Sequence, residues 1–152
     1  MQARLNAFQA APDLMKAVLA LSEASKASSI ETAIRELVKI RASQINGCAF
    51  CLEMHTREAR ALGETEERIY LVSGWRESPL YTERERAALA WTEALTLVAE
   101  THAPDDVYAE ARKQFSDQEL TELTVAIGLI NLWNRIQVGF RAIHPVQKSK
   151  AA

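Results

Sequence analysis

Cys48 and Cys51 are the only cysteines of the chain, and His55 stands four residues beyond the second. A C-x-x-C pair can pass between dithiol and disulfide within one turn of chain. A lowered thiol pKa there makes one sulfur a nucleophile near neutral pH. Gly47, directly before the pair, is a natural helix stop, so a new helix is expected at or near Cys48. Free backbone N–H groups and the positive end of the helix dipole stabilise a thiolate at such a start. On that helix Cys48, Cys51 and His55 share one face. Cys51 and His55 form an i,i+4 pair, within reach of direct or water-bridged proton transfer. An imidazole with a pKa near ~6.5 can take a thiol proton, which is the logic of a base beside a nucleophile.

The same residues admit other readings. Zinc sites also use C-x-x-C, but they draw on four protein ligands, and His102 and His144 lie far along the chain. No metal and no cofactor is expected. A passive buried thiol pair is a further alternative. Glu36 sits at the edge of the apolar arc of the preceding helix, on a stripe with Ala33, Ile40 and Ser43. That position suits a half-buried proton carrier as well as a solvent-facing glutamate. Glu53 and Glu58 flank the pair and are assigned to solvated helix faces. Trp75, Tyr81, Trp91 and Trp133 are assigned to core or interface.

The elements that must hold these residues all read as helices, and no alternating strand is visible. The first is expected over about residues 12–25, with Pro12 in its first turn. Ser28-x-x-Glu31 resembles a capping box and would open the second, which carries Ile30, Ile34, Leu37, Val38, Arg41 and Ile45 on one arc. The cysteine helix should run to about Leu62 and stop at Gly63. A short helix over about 64–73 follows. Thr82-x-x-Glu85 opens a long helix reaching nearly to Pro104, and another is expected over 105–115. Ser116-x-x-Glu119 opens the last, to about Ile143. From Leu120 to Phe140 that helix is apolar on nearly every face, broken by Asn131, Asn134 and Arg135. A helix apolar all round is usually buried all round. In a chain this short, contact between subunits accounts for it most economically, with a central core helix as the alternative.

The 152 residues fit one domain with a real core, and 25% charged and 48% apolar residues are ordinary for a globular protein. The net charge of −2, with lysines and arginines interspersed among acids, argues against nucleic acid and anionic membrane as partners. No segment reaches the ~18 apolar residues of a membrane span. The apolar stretch from Leu14 to Leu21 is interrupted by Lys16 and does not read as a signal peptide. A cytoplasmic location is the expectation, where a C-x-x-C is more often catalytic or metal-binding than structural. A single domain over residues 1–152 is expected, with its core at about 29–145 and a disordered tail at 148–152.

Glu36, eleven residues, Cys48-x-x-Cys51, three residues and His55 compose an E-x11-C-x-x-C-x3-H pattern. Residues 43–47 before the pair, His55-Thr56 after it, and residues 85–91 and 131–135 complete a likeness that spans about 29–145. On these residues the chain resembles the alkylhydroperoxidase D-like branch of the carboxymuconolactone decarboxylase superfamily. Recurring capping signals and 3.6-residue patterning predict six to eight helices and no sheet, and the resemblance implies an all-α bundle that assembles into a homotrimer or homohexamer. It implies peroxide as substrate. Cys51 would attack the peroxide and become a sulfenic acid, Cys48 would close the disulfide, and Glu36 and His55 would shuttle protons. The implied reductant is a dithiol, such as a lipoyl group on a partner protein or a thioredoxin-like protein. Some members carry a second histidine just before the second cysteine; Phe50 stands there in this chain, so the relay is shorter. Two alternatives keep the dithiol but change its use: a disulfide oxidoreductase with another disulfide substrate, and a non-enzymatic redox-sensing or assembly protein.

Overall fold

The computed structural model describes residues 2–146, so the tail expected to be disordered lies outside the described residues. Nine α-helical segments occur in it and no strand is found among the described residues. They are α1 (Ala7–Ala10), α2 (Pro12–Ala24), α3 (Thr32–Asn46), α4 (Ala49–Ala61), α5 (Glu66–Leu71), α6 (Glu83–Thr96), α7 (Val98–Thr101), α8 (Asp105–Gln114) and α9 (Asp117–Gly139). Two of these, α1 and α7, are single turns of four residues. The remaining seven fall within the expected six to eight.

Helix α3 is the hub, packed against α4, α6 and α9. One side of it joins Ile34 and Val38 to Ala88, Trp91, Leu123 and Ile127 from α6 and α9. Its other side joins Leu37 and Ile40 to Ala59, Val72, Trp75 and Leu89. Removing each such large side chain from water is worth about 1.5–3 kcal/mol, so two-sided burial of α3 fixes the bundle. At its far end Ala42 meets Cys48, Cys51 and Ile130. The reactive pair is therefore built into the core rather than carried on a loop.

Both downstream capping boxes form. Thr82 and Glu85 cap α6 reciprocally, as Ser116 and Glu119 cap α9. The box expected at Ser28 does not form, and α3 begins at Thr32 after Glu31. A tertiary partner has taken the hydroxyls: Ser28 and Ser29 both donate to Glu122 Oε2, at 2.9 and 2.7 Å. The long helix from Thr82 breaks at Leu97. Thr101 Oγ1 donates to the Ala94 carbonyl at 2.6 Å, the acceptor that an unbroken helix would offer to residue 98. Helix α9 stops at Gly139 instead of near residue 143. Arg4 from the N-terminal segment caps that end, its N–H reaching Phe140 O at 2.9 Å and its guanidinium Gly139 O at 3.1 Å.

Helix α9 is a core helix on one side only. Leu120, Leu123, Ile127 and Ile130 are buried, while Val125, Leu132 and Val138 are exposed in the single chain. Helix α2 is the least embedded of the long helices, with Met15 as its one buried residue.

The hub sets the stability of the fold. Leu89, fully buried against α3 and remote from the cysteines, is the cleanest probe. Leu89→Ala should destabilise the protein by about 2–5 kcal/mol in urea unfolding, and a loss below about 1 kcal/mol would contradict a core closed around α3.

Candidate active site

The site starts from one backbone turn. Gly47 ends α3 with φ +65°, in the left-handed region that favours glycine. The chain reverses there, and the Cys48 N–H donates to Ser43 O at 3.0 Å. Cys48 becomes the N-cap of α4, as expected, and its sulfur accepts the Cys51 N–H at 3.3 Å. A sulfur thus occupies the place where an N-cap oxygen usually satisfies a free amide.

The two sulfurs lie 2.6 Å apart as free cysteines, close enough to hold one proton between them. Each residue keeps only 1% of its exposure, so the negative charge of the pair must be solvated by protein. The Cys48 thiol is lowered to about 6, foremost by the hydrogen bond from Cys51. The Cys51 amide, the Asn134 side chain and a positive His55 add to this against the cost of burial. Cys51 is pushed up by the same shared proton, by burial and by the neighbouring charge. Within the pair these contacts favour the thiolate on Cys48 over Cys51. Asn134 is itself fixed by donating to Ser43 Oγ at 3.0 Å and accepting from Asn46 Nδ2 at 2.9 Å.

His55 lies on the same face of α4 as the cysteines, but it makes no hydrogen bond to either sulfur among the described residues. Its Nδ1 faces two carboxylates, Glu36 Oε2 at 3.0 Å and Glu58 Oε2 at 3.2 Å. The other Glu36 oxygen accepts from Lys39 Nζ at 2.7 Å. Burial would lower the imidazole pKa, but the hydrogen bonds to Glu36 and Glu58 outweigh it and raise the value. Burial likewise acts to raise Glu36, and its bonds to His55 and Lys39 pull it below the usual range. With His55 protonated, the two carboxylates and two cations balance. The proton transfer between Cys51 and His55 anticipated from spacing, direct or water-bridged, has no direct hydrogen bond in this geometry, and Nε2 makes no hydrogen bond among the described residues.

Cys51 and His55 open onto the same cavity of about 350 Å³, walled by Phe50, Met54, Ile130 and Trp133. Helices α1 and α2 cover it. Phe8 stacks on Trp133 with ring centroids 6.4 Å apart, and Trp133 Nε1 donates to Ser22 Oγ at 3.0 Å.

Glu36, Cys48, Cys51 and His55 are thus gathered around one buried point. Glu36 is more deeply buried than the half-buried position its place on the apolar arc suggests. Glu58 was assigned to a solvated face; nearly half of its side chain is indeed exposed, yet its carboxylate reaches His55. Trp133 packs against the Cys48–Cys51 core cluster and also walls the cavity. Asn131 and Asn134, visible as polar breaks in an apolar helix, are the signal that pointed to the amide beside the sulfurs. Glu36, His55 and Glu58 also bring three possible metal-ligand atoms within 4.8 Å of one another. Lys39 already supplies a cation there, and three groups fall short of the four ligands of a structural zinc site.

The shared proton makes the thiol titration specific. Below about pH 6 the pair holds both protons, and above it one thiolate forms. Absorbance at 240 nm should rise by one thiolate equivalent near pH 6. In Cys48→Ser that step should vanish and the surviving thiol should titrate in the ordinary range near ~8.5 or higher. A wild-type pair that stays protonated through pH 8 would contradict the assigned charge.

Similarity to known proteins agrees with this geometry. The carboxymuconolactone decarboxylase family profile matches residues 12–94. The uncharacterised protein YdfG of Bacillus subtilis is 42% identical over 138 residues, 91% of this chain and 94% of that protein. A crystal structure of a protein of unknown function from Agrobacterium tumefaciens, proposed there to be the antioxidant defence protein AhpD, superposes with a TM-score of 0.93. It is 53% identical and covers 96% of this chain and 100% of its own. An uncharacterised peroxidase-related protein from Ralstonia eutropha, described as an alkylhydroperoxidase AhpD core, superposes with a TM-score of 0.80. It covers 91% of this chain and 74% of its own at 18% identity, which shows likeness of fold alone. With its helical architecture, the chain belongs to the carboxymuconolactone decarboxylase family, in the AhpD-like branch.

Proposed function

We propose that the protein is a thiol-dependent peroxidase that reduces hydroperoxides through a Cys48–Cys51 dithiol/disulfide cycle. The observation that carries the reading is a buried sulfur pair, 2.6 Å apart, that faces a largely apolar cavity through Cys51. In the cycle the Cys51 proton passes to Cys48, leaving the thiolate on the sulfur that faces the cavity. Cys51 Sγ attacks a peroxide oxygen; the S–O bond forms and the O–O bond breaks. The departing alkoxide takes a proton from the His55 imidazolium and leaves as an alcohol. Cys48 Sγ then attacks the Cys51 sulfenic acid, the S–S bond forms, and water leaves with the Cys48 proton. An external dithiol reduces the disulfide by exchange, becomes a disulfide itself, and returns protons to Cys51 and His55.

Glu36 and Glu58 keep His55 charged for this step, and Lys39 keeps Glu36 ionised. Burial of both sulfurs favours a small oxidant over a folded protein disulfide. It likewise favours a slender dithiol, free or on a lipoyl arm, over a thioredoxin-like surface as reductant. The exposed apolar residues Val125, Leu132 and Val138 of α9 support assembly into a homotrimer or homohexamer.

Peroxide consumption with a supplied dithiol tests the reading. Cys51→Ser should abolish turnover, since a serine hydroxyl is a poor nucleophile toward peroxide. Cys48→Ser should allow one oxidation event and leave Cys51 as a sulfenic acid that dimedone labels. His55→Ala should slow turnover by about 10²–10⁴-fold. Turnover that survives Cys51→Ser but not Cys48→Ser would reverse the roles; turnover unaffected by either would end the peroxidase reading.

A further inference from the structure

The cavity beside Cys51 is much larger than hydrogen peroxide needs. It holds about 350 Å³, against the roughly 30 Å³ that a water-sized molecule takes in liquid. That size lies within the ~300–1,000 Å³ range of sites for organic ligands. Its lining is chemically mixed. Phe8, Leu19, Leu129, Ile130 and Trp133 are apolar. Lys26, Arg35, Lys39, His55 and Glu58 line it as well, with Cys51.

The charges in the lining are unequal in their pairing. Lys26 is bound to Glu23 and Lys39 to Glu36, each at 2.7 Å. His55 is held by Glu36 and Glu58. Arg35 has no carboxylate partner among the described residues. Its Nη1 donates to the carbonyls of Ser25 and Lys26 at 3.0 and 3.1 Å, and its Nη2 to Thr32 Oγ1 at 2.9 Å. All three acceptors are neutral. Its Nε is buried and has no hydrogen-bond partner. A guanidinium so placed leaves one positive charge without a carboxylate partner among the groups that line the cavity. An anionic group in the cavity supplies that partner.

We propose that the cavity selects an amphipathic hydroperoxide, an apolar body carrying a carboxylate, and that Arg35 recognises the carboxylate. The apolar body lies against Trp133 and Ile130, which places the peroxide along the wall that presents Cys51 and His55. The chemical half of this proposal rests on the peroxidase reading; the binding half does not.

Calorimetry with decanoate and 1-decanol separates the two halves, because neither probe reacts with thiols. Decanoate should bind the reduced protein about tenfold more tightly than decanol, the gain expected of one charged hydrogen-bonded contact. Arg35→Gln should bring the two probes within about twofold, while Arg35→Lys, which keeps the charge, should retain most of the preference. The wild-type protein gives a direct readout as well: decanoate should shift the Arg35 guanidinium resonances and decanol should not. In turnover, a fatty-acid hydroperoxide should exceed its methyl ester in kcat/KM by a similar factor. Decanoate that binds no better than decanol, or that leaves the Arg35 resonance in place, overturns the proposal even if cumene hydroperoxide is reduced. Decanoate preference without turnover of any peroxide upholds the site and overturns the peroxidase reading instead.

Discussion

A thiolate shut away from water has to be solvated by the protein, and the centre of this molecule is organised around that requirement. Transfer of an ionised group into an apolar core costs several kcal/mol unless hydrogen bonds replace its hydration. Here the replacement comes from three directions at once: the Cys51 thiol, the Cys51 amide at the start of α4, and the Asn134 side chain from α9. Each depends on a different packing contact. The amide is available only because Gly47 turns the chain at φ +65°, and the Asn134 side chain is aimed only because Ser43 and Asn46 of α3 hold it. The hub position of α3 is thus a chemical necessity as well as a packing solution.

The second buried charge group answers to the same helix. Glu36 and Lys39 are on α3, His55 and Glu58 on α4, so the contact between these two helices aligns an alternating set of charges beside the sulfurs. Both carboxylates favour the imidazolium form, which is better suited to giving a proton to a leaving oxygen than to taking one from a thiol. That inverts the role inferred from spacing, in which a neutral imidazole serves as base. In the proposed cycle the sulfurs exchange a proton themselves, which removes the need for that base.

How much of this was legible in the sequence follows from what each signal encodes. Local signals held: the glycine stops at Gly47 and Gly63, the boxes at Thr82 and Ser116, and the cysteine pair at a helix start all depend on a few neighbouring residues. Signals open to tertiary competition failed. Ser28 carries the pattern of a cap but is claimed by Glu122, ninety-four residues away. Thr101 reaches back to Ala94 and splits a helix whose apolar pattern runs on without a break. Glu58 reads as solvent-facing by periodicity, yet it stands three residues past His55 on the same helix and its carboxylate reaches the ring. The cavity was not legible at all, since its walls come from α1, α2, α3, α4 and α9 and exist only when those elements meet.

The central claim is that peroxide oxidises this buried pair in a single two-electron event. Intact-mass analysis of the fully reduced protein, treated anaerobically with one equivalent of cumene hydroperoxide, tests it most directly. The account predicts stoichiometric loss of two hydrogens, a Cys48–Cys51 disulfide in the digest, one cumyl alcohol formed per chain, and full return to the starting mass on adding a dithiol. Two alkylatable thiols remaining after the peroxide has been added, with the hydroperoxide unconsumed, would contradict it.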